Sequence, residues 1–228
     1  AAIAAATEAR QVPQSADAAA LVMARAYVER YRRMPSDADL AAAREALIAV
    51  RAPALSARDR VDLLIGTGQV LFLGETFGAA AEIFETALGQ ASVMSAADRD
   101  ALLAWWATAL DREARGLSAE RRPVLFRRLA DRMDLELALN PASPVANYWL
   151  PAAARGAGNL ERAWAAAVAG WVRSPLAPAT ATRLRSDLDK LVLDGLVPDR
   201  VRTRPGREQT ATASALRAEW DAIKQQWP

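Results

Sequence analysis

Apolar residues recur every three or four positions along most of this chain, and prolines and glycines cut the recurrence into segments of helix length. From Asp17 onward, AALVMARAYVERYRRM sets Leu21, Ala24, Tyr27, Val28 and Tyr31 at helical spacing, and Pro35 ends the run. DADLAAAREALIAV then places Leu40, Ala43, Leu47 and Val50 on one face, with Ser36 or Asp37 as its cap and Pro53 beyond it. A second pair is predicted over 57–73 and 77–89, joined by a turn containing Gly74. The third pair begins with SAADRDALLAWWATALDREA, whose apolar face is Leu103, Trp106, Ala107 and Leu110. It continues over 119–139, with Pro123 in the first turn, where a missing amide costs little. The fourth pair, SPVANYWLPAAARGAG and NLERAWAAAVAGWVRS, turns at Gly156 and Gly158, and Pro151 is expected to bend or locally interrupt its first helix. After Pro175 and Pro178 the pattern changes to a helix over 179–196, a basic connector and a last helix over 208–227. The resulting organisation is a frayed lead-in at 1–16, about four helix pairs at 17–174, and C-terminal capping helices with the connector at 175–228.

Composition supports an all-α reading. Hydrophobic residues are 52% but aromatics only 6%, so much of the apolar content is alanine, which favours helix and close helix approach. Of 29 basic residues only Lys190 and Lys224 are lysines, a bias expected of a GC-rich bacterial genome and therefore weak evidence for function. Net charge is +2, and the sequence pI of 9.4 reflects the absence of histidine and cysteine and gives no nucleic-acid signal. That absence excludes thiol nucleophiles, disulfides, thiolate or imidazole metal sites and histidine acid/base catalysis. No apolar run reaches bilayer length; the longest candidate, AWAAAVAGWV, lies between Arg162 and Arg173. A start without methionine fits a mature chain after removal of a signal peptide or a chain trimmed at its start. A periplasmic or otherwise exported location is the expectation, with the cytoplasm as the alternative.

The segment LIGTGQVLFLGETFGAAAEIFETAL resembles the tetratricopeptide repeat, a helix-turn-helix unit. Leu64, Gly68 and Leu71 stand where that family has large, small and large residues in its first helix, and Phe77, Ala80, Phe84 and Ala87 match its second. Gly74 is displaced by one residue from the turn position. Leu150, Gly158, Leu160, Ala163 and Ala167 carry the likeness in the fourth pair, although Pro151 replaces the usual small residue. The resemblance implies a right-handed α-solenoid of antiparallel helix pairs, in which small residues at helix crossings permit close approach. It also implies that first helices line a concave surface. Projecting that register selects Arg25, Ile65, Gln69, Phe72, Thr108, Asp111, Tyr148 and Arg155 as partner-binding residues.

Other candidates have plainer explanations. The seven tryptophans fit core filling opposite alanine-rich helices, with Trp105 the exception because Trp106 already holds the packing position. GTGQ lacks the Gly-Lys-Ser/Thr ending of a phosphate loop and sits within a helix. Arg200, Arg202, Arg204 and Arg207 form the densest basic run, read as a solvated connector with membrane-surface contact as the alternative. Asp131 with Asp134, and Asp187 with Asp189, give no facing pair for carboxylate chemistry.

The expectation is a non-catalytic protein-interaction scaffold or adapter that binds a protein or peptide in its groove, without cofactor, metal or catalytic residues. Nucleic acid is not an expected partner, and no oligomeric state follows. The alternatives are an accessory subunit assembled through its convex face or ends, and a carrier of a small ligand or lipid.

Overall fold

The computed structural model describes residues 2–12, 14–90 and 93–228. It is helical, with no strand among the described residues, and neighbouring helices within each of its two units pack on one another. Pro13, assigned above to the lead-in, lies outside the described residues, as do Ala91 and Ser92 between the second and third pairs. The chain divides into two compact units, 1–113 and 114–228. No described helix is long and apolar enough to cross a membrane.

The N-terminal unit begins with α1 (Ala2–Ala9), which packs on α2 (Ala16–Arg33) and buries Ala6. Part of the expected lead-in is therefore helical: alanine supplies the propensity, and the face of α2 gives it something to cover. The antiparallel partner of α2 is α3 (Asp37–Ile48). Arg30 holds the buried Asp39 through two hydrogen bonds, one of 2.7 Å from Nε, and lowers the carboxyl pKa.

Then come α4 (Ala57–Leu73), capped by the Ser56 hydroxyl accepting from the Asp59 amide, and α5 (Phe77–Leu88). Gly68 of α4 lies under the ring of Phe84, and a Cβ there would stand 2.4 Å from a ring carbon. The small and large positions that carried the resemblance thus touch. The turn between these helices has Glu75 in the left-handed region at φ 59°, while the Thr76 amide bonds Leu71 O and the Glu75 amide bonds Phe72 O. In α6 (Ala96–Gly116), Leu103, Trp106, Ala107 and Leu110 are buried, as the pattern predicts.

In the C-terminal unit α7 (Arg122–Leu139) packs on α8 (Pro144–Gly156), and α8 on α9 (Leu160–Arg173). Helix α8 runs through Pro151 without interruption. Proline has no amide to bond the carbonyl four residues back, that of Asn147, and Gly170 of α9 comes against that oxygen: a Cβ would lie 2.9 Å from it. Gly158, at φ 81°, turns the chain with the same two hydrogen bonds seen at Glu75.

Helix α10 (Pro178–Lys190) continues through a π-helical turn, Leu191–Leu196, into α11 (Val197–Arg202). The helix expected to stop at 196 therefore takes up part of the basic connector. The wider turn precedes Pro198, whose ring would clash with the carbonyl of Asp194 in regular α-geometry. Finally α12 (Gly206–Gln226) docks Trp220 against Trp164 and Trp171, with ring centroids 6.1 and 5.4 Å away. Each indole N–H has its own acceptor: Trp164 donates to Glu219, Trp171 to the carbonyl of Trp227, and Trp220 to Asp189.

Candidate functional site

A groove of about 380 Å3 lies within the N-terminal unit, walled mainly by α2, α4 and α6. Its α2 wall is the stripe Val22, Arg25, Glu29 and Arg32, spaced three and four residues apart and so on one face. Helix α4 contributes Arg58, Asp62, Ile65 and Gln69 at the same spacing, and α6 contributes Asp98, Ala101 and Trp105. Leu21, Leu47 and Leu102 form the buried floor.

Charges divide into those already neutralised and those not. At the end formed by the first turns of α4 and α6, Arg58 pairs with Asp98 at 3.0 Å and Asp62 at 3.3 Å. The Arg58 bond and the Ser95 hydroxyl hold the Asp98 pKa below the ordinary carboxylate value, so this end is an ion-paired network. Arg32 pairs with Glu29 at 2.9 Å and lies 5.4 Å over the Trp105 ring. Arg25 and Gln69 have no side-chain hydrogen bond or ion pair among the described residues. Val22, 52% exposed, lies on the same α2 stripe as Arg25. The arrangement offers one guanidinium, one amide and an apolar strip.

Three of the projected partner-binding residues, Arg25, Ile65 and Gln69, thus line this groove. Phe72 is instead packed edge-on between Phe77 and Trp105, at 5.2 and 5.0 Å. Thr108 turns its hydroxyl back to Ala104 O at 2.7 Å, and it and Asp111 lie beyond Trp105 along α6. Tyr148 and Arg155 belong to the C-terminal unit, where they line a cavity of about 270 Å3 with Asp187, Lys190 and Asp194. Arg155 donates from Nε to Asp199 at 2.5 Å, and its guanidinium covers Gly195 in the π-turn, where a Cβ would be 2.8 Å away. Val22 and Arg32 were not among the projected residues, although their spacing from Arg25 and Glu29 carries the signal.

The remaining sequence candidates also have positions. GTGQ is inside α4, and Trp106, Trp164, Trp171 and Trp220 are core residues. Asp131 and Asp134 both face Arg162, while Asp189 accepts from Trp220 and Lys224. Compared with known family models, curated proteins and solved structures, the chain matches none of them.

Proposed function

We propose that this protein is a non-catalytic interaction module whose N-terminal groove receives a segment of a partner protein or a peptide. The helix pairs of that unit are taken to stack as a right-handed, tetratricopeptide-like solenoid. The observation that carries the reading is the unpaired Arg25 and Gln69 beside the exposed Val22 and the half-buried Ile65, on neighbouring first helices. A guanidinium presents a fork of donors to a carboxylate, a side-chain amide matches a peptide backbone, and the apolar strip accepts a hydrophobic side chain. The acidic residues weighed as catalytic pairs are engaged in structural ion pairs and indole hydrogen bonds, which supports a binding role over hydrolysis.

Selection of random displayed peptides on the wild-type protein and on Arg25→Glu tests this. Wild type should enrich peptides that combine an acidic and an apolar residue, and Arg25→Glu should weaken them at least about tenfold while melting at the same temperature. Peptides recovered equally by both proteins would sink the groove assignment.

A second reading, an accessory subunit assembled through another face, draws on α7. Leu135 and Leu139 lie four residues apart there at 63% and 77% exposure. A wild-type protein that selects no peptide but gives a complex disrupted by Leu135→Glu would favour it.

A further inference from the structure

The C-terminal unit has a cavity of its own, about 670 Å3, within the range of small-molecule sites. It opens between the α8–α9 turn, the first two turns of α9, the end of α11 with the residues that follow it, and the middle of α12. Leu160, Trp164 and Leu216 give it an apolar floor. That floor is fixed from two sides. Arg200 lies 5.0 Å over the Trp164 ring and donates to Glu161 at 2.5 Å, while the Trp164 indole donates to Glu219 at 3.0 Å.

The charges around it are not all cancelled. Arg200 and Glu161 neutralise each other, but the indole that Glu219 holds is neutral, and the Glu219 carboxylate has no ion-pair partner among the described residues. Of the four arginines in the basic run, Arg200 pairs with Glu161, Arg202 with Asp199 and Arg207 with Glu208. Arg204, which lines the cavity, has no carboxylate partner among the described residues. The Thr212 hydroxyl on the same wall is also without a partner there. One uncompensated cation and one uncompensated anion therefore border a single apolar floor.

A simple anion would meet Arg204 and be repelled by Glu219, and a simple cation would meet the reverse; either leaves one charge unanswered as the cavity fills. We infer that the cavity binds a zwitterion with an apolar side chain, the class of free amino acids and short peptides with both ends uncapped. Its carboxylate pairs with Arg204, its ammonium with Glu219, and its side chain rests on Leu160, Trp164 and Leu216.

Titration with the dipeptide alanyl-leucine, followed by the indole N–H resonance of Trp164 in 15N-labelled protein, tests the assignment; Trp164→Phe identifies the resonance. A saturable shift is expected, and N-acetylation or C-amidation of the dipeptide should each weaken binding about tenfold. Arg204→Gln should bind the free and C-amidated dipeptides equally, and Glu219→Gln the free and N-acetylated ones. Glutamine still accepts the indole hydrogen bond, and unchanged melting of both variants verifies the fold. No saturable shift at millimolar dipeptide, equal binding of the doubly capped form, or the same shift from inorganic phosphate alone would each overturn the proposal.

Discussion

The α4–α5 and α8–α9 pairs both reverse the chain through two left-handed-turn hydrogen bonds, yet they place their small residues in opposite helices. In the first pair Gly68, on the first helix, accommodates Phe84 of the second. In the other pair the first helix has Pro151, and Gly170 of the second helix accommodates the carbonyl that the proline leaves free. Close approach is the requirement, and either helix can meet it. Their turns differ in a complementary way. Gly158 takes φ 81° without steric cost, whereas Glu75 takes φ 59° with a Cβ and with no side-chain partner among the described residues.

The contrast can be broken most forcefully at Gly170. Gly170→Ala should cost about 3 kcal/mol in denaturant unfolding, because the new methyl meets a main-chain oxygen that cannot swing aside. Gly68→Ala should cost less, about 2 kcal/mol: its methyl overlaps the Phe84 ring, a side chain that can turn about its own bonds where a main-chain carbonyl cannot. A double-mutant cycle sharpens the role of the proline. In a Pro151→Ala background the Asn147 carbonyl regains an amide partner, so Gly170→Ala should become milder by about 1 kcal/mol; additive effects would detach Gly170 from Pro151. The turns give the smallest effects and opposite signs. Gly158→Ala should destabilise by about 1 kcal/mol, and Glu75→Gly should stabilise by about 0.5 kcal/mol, left-handed strain outweighing the entropy of glycine. Equal signs at the two turns would contradict the conformational explanation.

Much of this packing was legible in the sequence because the spacing of Gly68, Ala80 and Phe84 is itself the crossing pattern. Gly170 was not, since reading Pro151 as a bend hid the possibility that a neighbouring helix moves in where the proline leaves a carbonyl free. Helix α1 was obscured by a short alanine-rich segment whose stability comes from the face of α2. The π-turn was obscured because a proline normally marks a helix end, and Pro198 is instead accommodated by a wider turn before it. Of the residues that projection of helix faces selects, Arg25, Ile65 and Gln69 line the groove. Phe72 packs edge-on against Phe77 and Trp105 instead, contacts that a face derived from one helix does not reveal. Arg155 resembled a free ligand-binding head, but its acceptor, Asp199, is 44 residues away along the chain.

The three-tryptophan contact also dictates an order of events during synthesis. Trp164 and Trp171 leave the ribosome before Trp220, and Glu219, the acceptor for the Trp164 indole, follows 55 residues later. At translation rates of about 5–20 residues per second, the apolar face of α9 waits roughly 3–11 s for the helix that covers it. The C-terminal unit is thus completed late, and its nascent chain passes through a window in which two large indoles invite premature association.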